Sequence, residues 1–316
     1  MSKLADTLYP GALTLWLEVS PPRGINSEAL LRRLKAVIGH VDAINLTDNA
    51  LAKVKMSPLA FASILQNRLG LPVVLNLSCR DRNLLALKAD LLGAGALNVG
   101  AIVALTGDKL APNDQGDRPQ ASSVHDVDAI GLLNIIGQLN RGELGEPKPL
   151  KFPPALLAGA VANPNRKRLE HEFELLARKV EAGARFVMTQ PVFDAETAYQ
   201  FVERAQALRV GIIMGVLPLK RAAMASYIAA KIRDLAPTRA YLESYQGMTE
   251  EQVRMRSVEH CLELMTRLAP QVAGFNIMSG GGPSLAIELA LKFSPLRAKL
   301  RRSLAPAPAQ RTLKGL

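Results

Sequence analysis

The chain has 316 residues, of which 48% are hydrophobic, 21% charged and 4% aromatic. That mixture excludes a largely disordered or disulfide-stapled chain, and no apolar run reaches the ~18 residues of a membrane helix. The formal charge is +11, but Arg297, Lys299, Arg301, Arg302, Arg311 and Lys314 carry six of these charges in the last twenty residues, where no acid occurs. The first 296 residues therefore hold only +5.

With its Ala/Pro stretch at 304–310, the basic segment 297–316 reads as a solvated, flexible tail behind a folded unit spanning 1–296. So few aromatic residues leave little for base stacking, and no nucleic-acid partner is expected. Cys79 and Cys261 are the only cysteines, too few for a thiolate metal site. His40, His125, His171 and His260 have no ligand partner two to four residues away, so no metal centre is expected. Asp6 interrupts the apolar stretch that a signal peptide would need, which makes a reducing cytoplasm the expected location.

Strand-length apolar runs occur in chain order at 13–19, 43–47, 72–77, 99–105, 155–161, 186–189, 210–216 and 274–278. Helical spacing follows at 27–34, behind Ser27 as a cap, and at 81–92, 126–139, 169–180, 195–208 and 248–268. Eight strands alternating with helices predict a single-domain α/β fold, a (βα)8 TIM barrel, with a doubly wound open sheet as the rival. Two long connections, 108–123 and 141–153, are rich in Gly, Pro and charge and read as lids or flexible loops. In the first strand, Leu13, Leu15, Leu17 and Val19 share one face and Thr14, Trp16 and Glu18 the other. Packing the leucine face on helices turns Glu18 inward at the C-terminal mouth, where barrels place their chemistry.

The remaining strands end in polar residues too. Thr47, Asp48 and Asn49 follow the second, Asn76 and Ser78 end the third, and Thr106, Gly107 and Asp108 follow the fourth. Asn163, Gln190 and Lys220 follow the next three, and Asn276 and Ser279 close the eighth. Such a mouth of carboxylates, amides and hydroxyls suits a neutral heterocycle with many donors and acceptors. Neither G-x-G-x-x-G after a strand nor a P-loop is present. The glycine run at 279–284 reads either as a phosphate-binding loop or as a turn before a helix.

Several segments together carry a family resemblance: Glu18-Val19-Ser20-Pro21-Pro22, Asn45-Leu46-Thr47-Asp48-Asn49, Ser78-Cys79-Arg80-Asp81-Arg82-Asn83, Thr106-Gly107-Asp108 and Thr189-Gln190-Pro191. In order and spacing the chain resembles the methylenetetrahydrofolate reductase family in its compact, single-domain form. The resemblance implies FAD held at a barrel mouth without a dinucleotide fingerprint. It implies cofactor contacts from Thr47, Asn76, Ser78, Thr106, Gly107, Asp108 and Lys179, the last at the phosphoribosyl part. It further implies that Asp108 lies between flavin and folate, that Gln190 binds the pterin and that Glu18 is the general acid.

The implied reaction is reduction of 5,10-methylenetetrahydrofolate to 5-methyltetrahydrofolate by hydride from reduced FAD, with NADH, NADPH or a redox partner protein as donor and a homo-oligomeric state. A flavin-free, pterin-binding methyltransferase-type barrel is the alternative. The chain departs from the family pattern at Asn76, where His is common, at Asn276 in the Gly-x-His-x-Tyr position, and at Ala222 in place of an aromatic residue.

Overall fold

The structure is a computed structural model that describes residues 4–108, 122–145, 147–231, 235, 237–280 and 282–304. Eight parallel strands close into a barrel in sequence order: β1 (Thr14–Val19), β2 (Ala43–Leu46), β3 (Val73–Ser78), β4 (Ala101–Leu105), β5 (Ala158–Ala162), β6 (Phe186–Pro191), β7 (Gly211–Val216) and β8 (Gly274–Ile277). The ring closes where β1 pairs with β8, Trp16 opposite Asn276. Around it run α1 (Glu28–Leu34), α2 (Pro58–Leu69), α3 (Leu84–Ala96), α4 (Ala129–Asn140), α5 (Leu169–Glu181), α6 (Ala195–Gln206), α7 (Ala222–Lys231), α8 (Arg239–Glu243), α9 (Glu250–Leu268) and α10 (Ser284–Leu304).

The two-residue alternation sorts the core into two layers. Leu13, Leu15, Leu17 and Val19 join the large cluster between strands and helices, while Trp16 lies in the inner cluster with Val74, Val103, Phe186, Met188 and Ile213. The Trp16 and Phe186 rings meet edge to face, 5.1 Å between centroids, and plug the barrel beneath its mouth. Gly159 makes room for the plug, since a Cβ there would overlap the Phe186 ring. A third cluster gathers Phe193, Tyr241 and Tyr245 beneath the extra helices between β7 and β8.

Three local features differ from the sequence expectation. Ser27 stands at the start of α1 but its side chain makes no cap hydrogen bond; Asn26 Oδ1 accepts from the Glu28 N–H instead. Helix α2 had no predicted counterpart, although Ser57, Pro58 at its first position and Gly70 at φ 64° bound it as helix signals do.

The third difference concerns the segment 297–316. Its first eight residues are not a flexible tail, because α10 continues through them to Leu304. Arg297 is buried, pairs with Asp42 and donates to the His40 carbonyl at 3.1 Å. Arg301 donates to the carbonyls of Ala12 and Leu13 at 2.7 and 3.1 Å. These basic groups bind the N-terminal end of the barrel rather than solvent. Residues 305–316, with Arg311 and Lys314, lie outside the described residues, as does most of the connection 108–123.

Candidate active site

A cavity of about 440 Å³ opens at the C-terminal ends of the strands. Every residue predicted to act lines it: Glu18, Thr47, Asn76, Ser78, Thr106, Gly107, Asp108, Lys179 and Gln190. Barrel closure brings these residues together from five strand ends and one helix. Two larger hollows, each about 680 Å³, lie at the opposite end around residues such as Arg185 and Leu71; they contain none of this constellation.

Glu18 projects into the mouth from β1. Burial is the main cause that pushes its carboxyl from the usual 4.5 up to about 7, against the pull of the Ser279 N–H and the Asn276 amide. Ser279 N donates to Glu18 Oε1 at 3.3 Å. The first residue of the glycine run thus serves the carboxylate, and Gly282 N–H turns back to the Ser279 carbonyl at 3.1 Å. Arg23 is exposed, and Glu18 forms no salt bridge among the described residues, so it is a carboxyl without a paired cation.

The β3–β4 side is tied together by hydrogen bonds. Asp48 accepts from the Ser78 N–H at 2.9 Å and from Arg82 at 2.7 Å, which assigns it to the wall rather than to a ligand. Arg80, buried and absent from the predicted set, lies against the cavity with its guanidinium on both oxygens of Asp81 at 2.6 and 2.7 Å. Gly107 adopts φ 98°, and a Cβ there would strike Ser78 Oγ and approach Arg80 Cβ to 2.6 Å. Only glycine allows the β4 end to lie this close to β3. Asp108 stands exposed at the rim, where its Oδ2 accepts from the Leu51 N–H at 3.3 Å.

On the other side, Lys179 reaches in from α5 and donates to the Val161 carbonyl at 2.7 Å, with burial lowering its pKa. Thr47 shares a 2.8 Å hydroxyl contact with Ser20, and Thr106 Oγ1 accepts from the first N–H of α4 at 3.2 Å. Gln190 lies within the register shift between Met188 and Pro191, which takes it out of the regular ladder at the mouth. Sequence reasoning also missed Arg166, Met188 and Met278 as wall residues. The apolar strand pattern concealed the methionines, and nothing in the loop sequence singled out Arg166.

With this geometry in view, comparison with known proteins is decisive. The sequence model described as methylenetetrahydrofolate reductase matches residues 3–279. The chain belongs to the methylenetetrahydrofolate reductase family. A probable methylenetetrahydrofolate reductase (NADPH) from Caenorhabditis elegans is 26% identical over 267 residues, covering 80% of this chain and 37% of that protein. A 5,10-methylenetetrahydrofolate reductase from Pectobacterium carotovorum subsp. carotovorum is 25% identical over 215 residues, covering 66% of this chain and 65% of that protein. The matched part therefore spans less than two thirds of either relative. Among solved structures, an uncharacterized protein from Clostridium thermocellum that binds two copies of 5-methyl-5,6,7,8-tetrahydrofolic acid shares the fold, with a TM-score of 0.59 at 15% identity over 91% of this chain and 95% of that one.

Proposed function

We propose that the chain reduces 5,10-methylenetetrahydrofolate to 5-methyltetrahydrofolate with FAD at the barrel mouth. The observation that carries this reading is Glu18: an acid without a paired cation, raised to about 7 by burial, in one cavity with Asp108 and Gln190.

The donor set of the wall fits a flavin. Amides of Asn76 and Gln190, hydroxyls of Thr47, Ser78 and Thr106 and the ammonium of Lys179 line one cavity, offering partners for a heteroaromatic edge and for a phosphoribosyl chain. Side-chain-free Gly107 keeps the β4 end low beside them. Bound there, FAD supplies the hydride.

The chain's own residues then handle the folate. Opening the five-membered ring requires a proton on nitrogen 10, and Glu18 at about 7 is protonated in a useful fraction of molecules near neutrality. Loss of that proton leaves a carboxylate facing the Ser279 N–H. Ring opening also creates a cationic methylene iminium, and the Asp108 carboxylate at the rim lowers the energy of that positive charge. Gln190 presents both a donor and an acceptor for the pterin ring. That the Clostridium thermocellum barrel binds a reduced folate supports a folate as the ligand of this fold here.

Anaerobic spectroscopy tests the reading. Purified chain reconstituted with FAD is expected to absorb in the blue, to bleach with NADH or NADPH and to recover colour on addition of methylenetetrahydrofolate. Glu18→Gln should bleach at the normal rate and recover roughly 10²–10⁴ more slowly, the usual worth of a general acid. Normal recovery in that variant removes Glu18 from the mechanism. Failure to bind FAD supports the flavin-free barrel, and bleaching only with an added reductase supports a partner-protein donor.

A further inference from the structure

Beneath the mouth, three buried asparagines form a chain whose direction is dictated by one backbone group. The Leu46 carbonyl can only accept a hydrogen bond. Asn76 therefore turns Nδ2 toward it, at 2.6 Å, and the same Nδ2 donates to Asn45 Oδ1 at 2.7 Å. With its oxygen thus engaged, Asn45 sends its own Nδ2 onward, to Asn276 Oδ1 at 3.2 Å and Met188 Sδ at 3.3 Å. Asn276 is left presenting Nδ2 away from Asn45. Turning Asn276 over would set that Nδ2 against Asn45 Nδ2, donor against donor.

Asn276 is fully buried, and its Nδ2 forms no hydrogen bond among the described residues. A buried N–H without an acceptor is costly unless another state of the molecule supplies one. The acceptor at hand is Glu18, whose carboxyl the Asn276 amide already influences. Ser279 N–H reaches Glu18 Oε1 from the loop that follows the same strand. The charged groups lining the cavity are Asp48, Arg80, Asp108, Arg166 and Lys179. None of them is among the causes of the Glu18 shift. Asp42, Arg297 and Arg301 are engaged at the opposite end of the barrel.

We propose that Asn276 is a positioning residue for Glu18: the amide relay from Leu46 through Asn76 and Asn45 fixes its Nδ2–H as a donor that closes on the carboxylate once the proton has left. The proposal rests on Glu18 being the acid of the reaction. It gives Asn276, where the family pattern has His, a defined chemical task. Burial holds the proton on Glu18, and the relay eases its release by receiving the charge that remains. Asn45, which does not line the cavity, acts on the reaction only through its neighbours.

The test reads Glu18 directly in the full chain. Carbon-13 NMR of protein labelled at the Glu δ-carboxyl, with the Glu18 signal assigned by its loss in Glu18→Gln, gives the titration midpoint. Asn276→Leu keeps the size and removes the donor, so the midpoint should rise by about one pH unit, the size expected when a carboxylate loses one donor. Asn45→Leu releases Asn276 to turn over and should move the midpoint in the same direction without altering any group beside Glu18. In Asn276→Ser the hydroxyl can donate and should restore part of the shift. A folded Asn276→Leu protein with the wild-type midpoint overturns the proposal, and a shift there with none in Asn45→Leu overturns the relay. Should Asn276→Leu fail to fold, Asn45→Leu decides. These titrations need no turnover. Normal folate reduction by Glu18→Gln would defeat the acid assignment while leaving the donor contact to stand or fall on its own measurement.

Discussion

Glu18 sits directly above Trp16 on the inner face of β1, so its carboxyl loses water on one side and gains no cation on the other. The consequence extends to stability. From about pH 4.5 to about pH 7 the folded chain holds a proton that the unfolded chain has released. The stability contributed by protonated Glu18 is fully present below the unfolded value and is lost as pH rises through about 7. Denaturation midpoints of the wild type, taken relative to Glu18→Gln, should therefore fall across this window; a flat difference would mean that Glu18 titrates as an exposed carboxyl. Gly107 poses a purely steric question. Gly107→Ala at φ 98° meets Arg80 Cβ at 2.6 Å, and Arg80 cannot give way because both its ends are engaged. The substitution should cost roughly 1–3 kcal/mol in chemical denaturation, and an unchanged midpoint would show that the β3 and β4 ends part freely.

Helix α10 is the element for which composition misleads most. Basic residues without acids, followed by Ala and Pro, read as a tail when taken alone. In the fold, Leu289 and Phe293 are core residues, Leu300 and Leu304 pack against the same large cluster, and Pro295 lies within the helix. Arg297 and Arg301 converge on Asp42, whose Oδ2 also accepts from the Leu15 N–H of β1 at 2.7 Å. A chain ending at Phe293 leaves Asp42 without its guanidinium partners and the carbonyls of Ala12 and Leu13 without their donor. Removing one partner of such a pair costs about 3 kcal/mol or more. The truncated protein and Arg297→Ala should both melt earlier than wild type, with truncation the more severe. An unchanged melting curve after truncation would return the segment to the status of a tail. Helix α2 shows the converse failure. Its signals, Ser57-Pro58 and Gly70, are all in the sequence, but Leu59, Ala60 and Ile64 stand beside the buried Pro58, Phe61, Ala62 and Leu65, so the apolar residues do not separate into one stripe.

The barrel as a whole depends on what fills its interior. Trp16 and Phe186 supply the bulk, Gly159 the space, and Val74, Val103 and Ile213 the remaining wall. Phe186→Ala removes the partner of Trp16 at the level just below the mouth. It should cost about 3–5 kcal/mol in chemical denaturation. A loss below about 1 kcal/mol would show that neighbouring side chains collapse into the gap. The fold survives wide divergence in sequence: the Clostridium thermocellum barrel shares it at only 15% identity, because interior volume and strand alternation, rather than particular residues, maintain the closed sheet.

The strand alternation and the polar residue at each strand end were legible in the linear sequence, because they follow from a period of two and from the need of loops to meet water. Thr14, Trp16 and Glu18 on one side and four apolar residues on the other are enough to turn the carboxyl inward. Glu18, Gly107 and Gln190 stand at strand ends and Lys179 is implied only by the family resemblance; the closed ring alone unites them in a single cavity, since they are separated by up to 172 positions in the chain. The orientation of the buried amides was beyond reach of the sequence, as it depends on the Leu46 carbonyl facing Asn76 across two strands. So were the Arg80–Asp81 pair and the grip of Arg297 and Arg301 on the first strand. Each is a hydrogen-bond choice among several partners of equal chemistry, and only tertiary distance decides which partner is present.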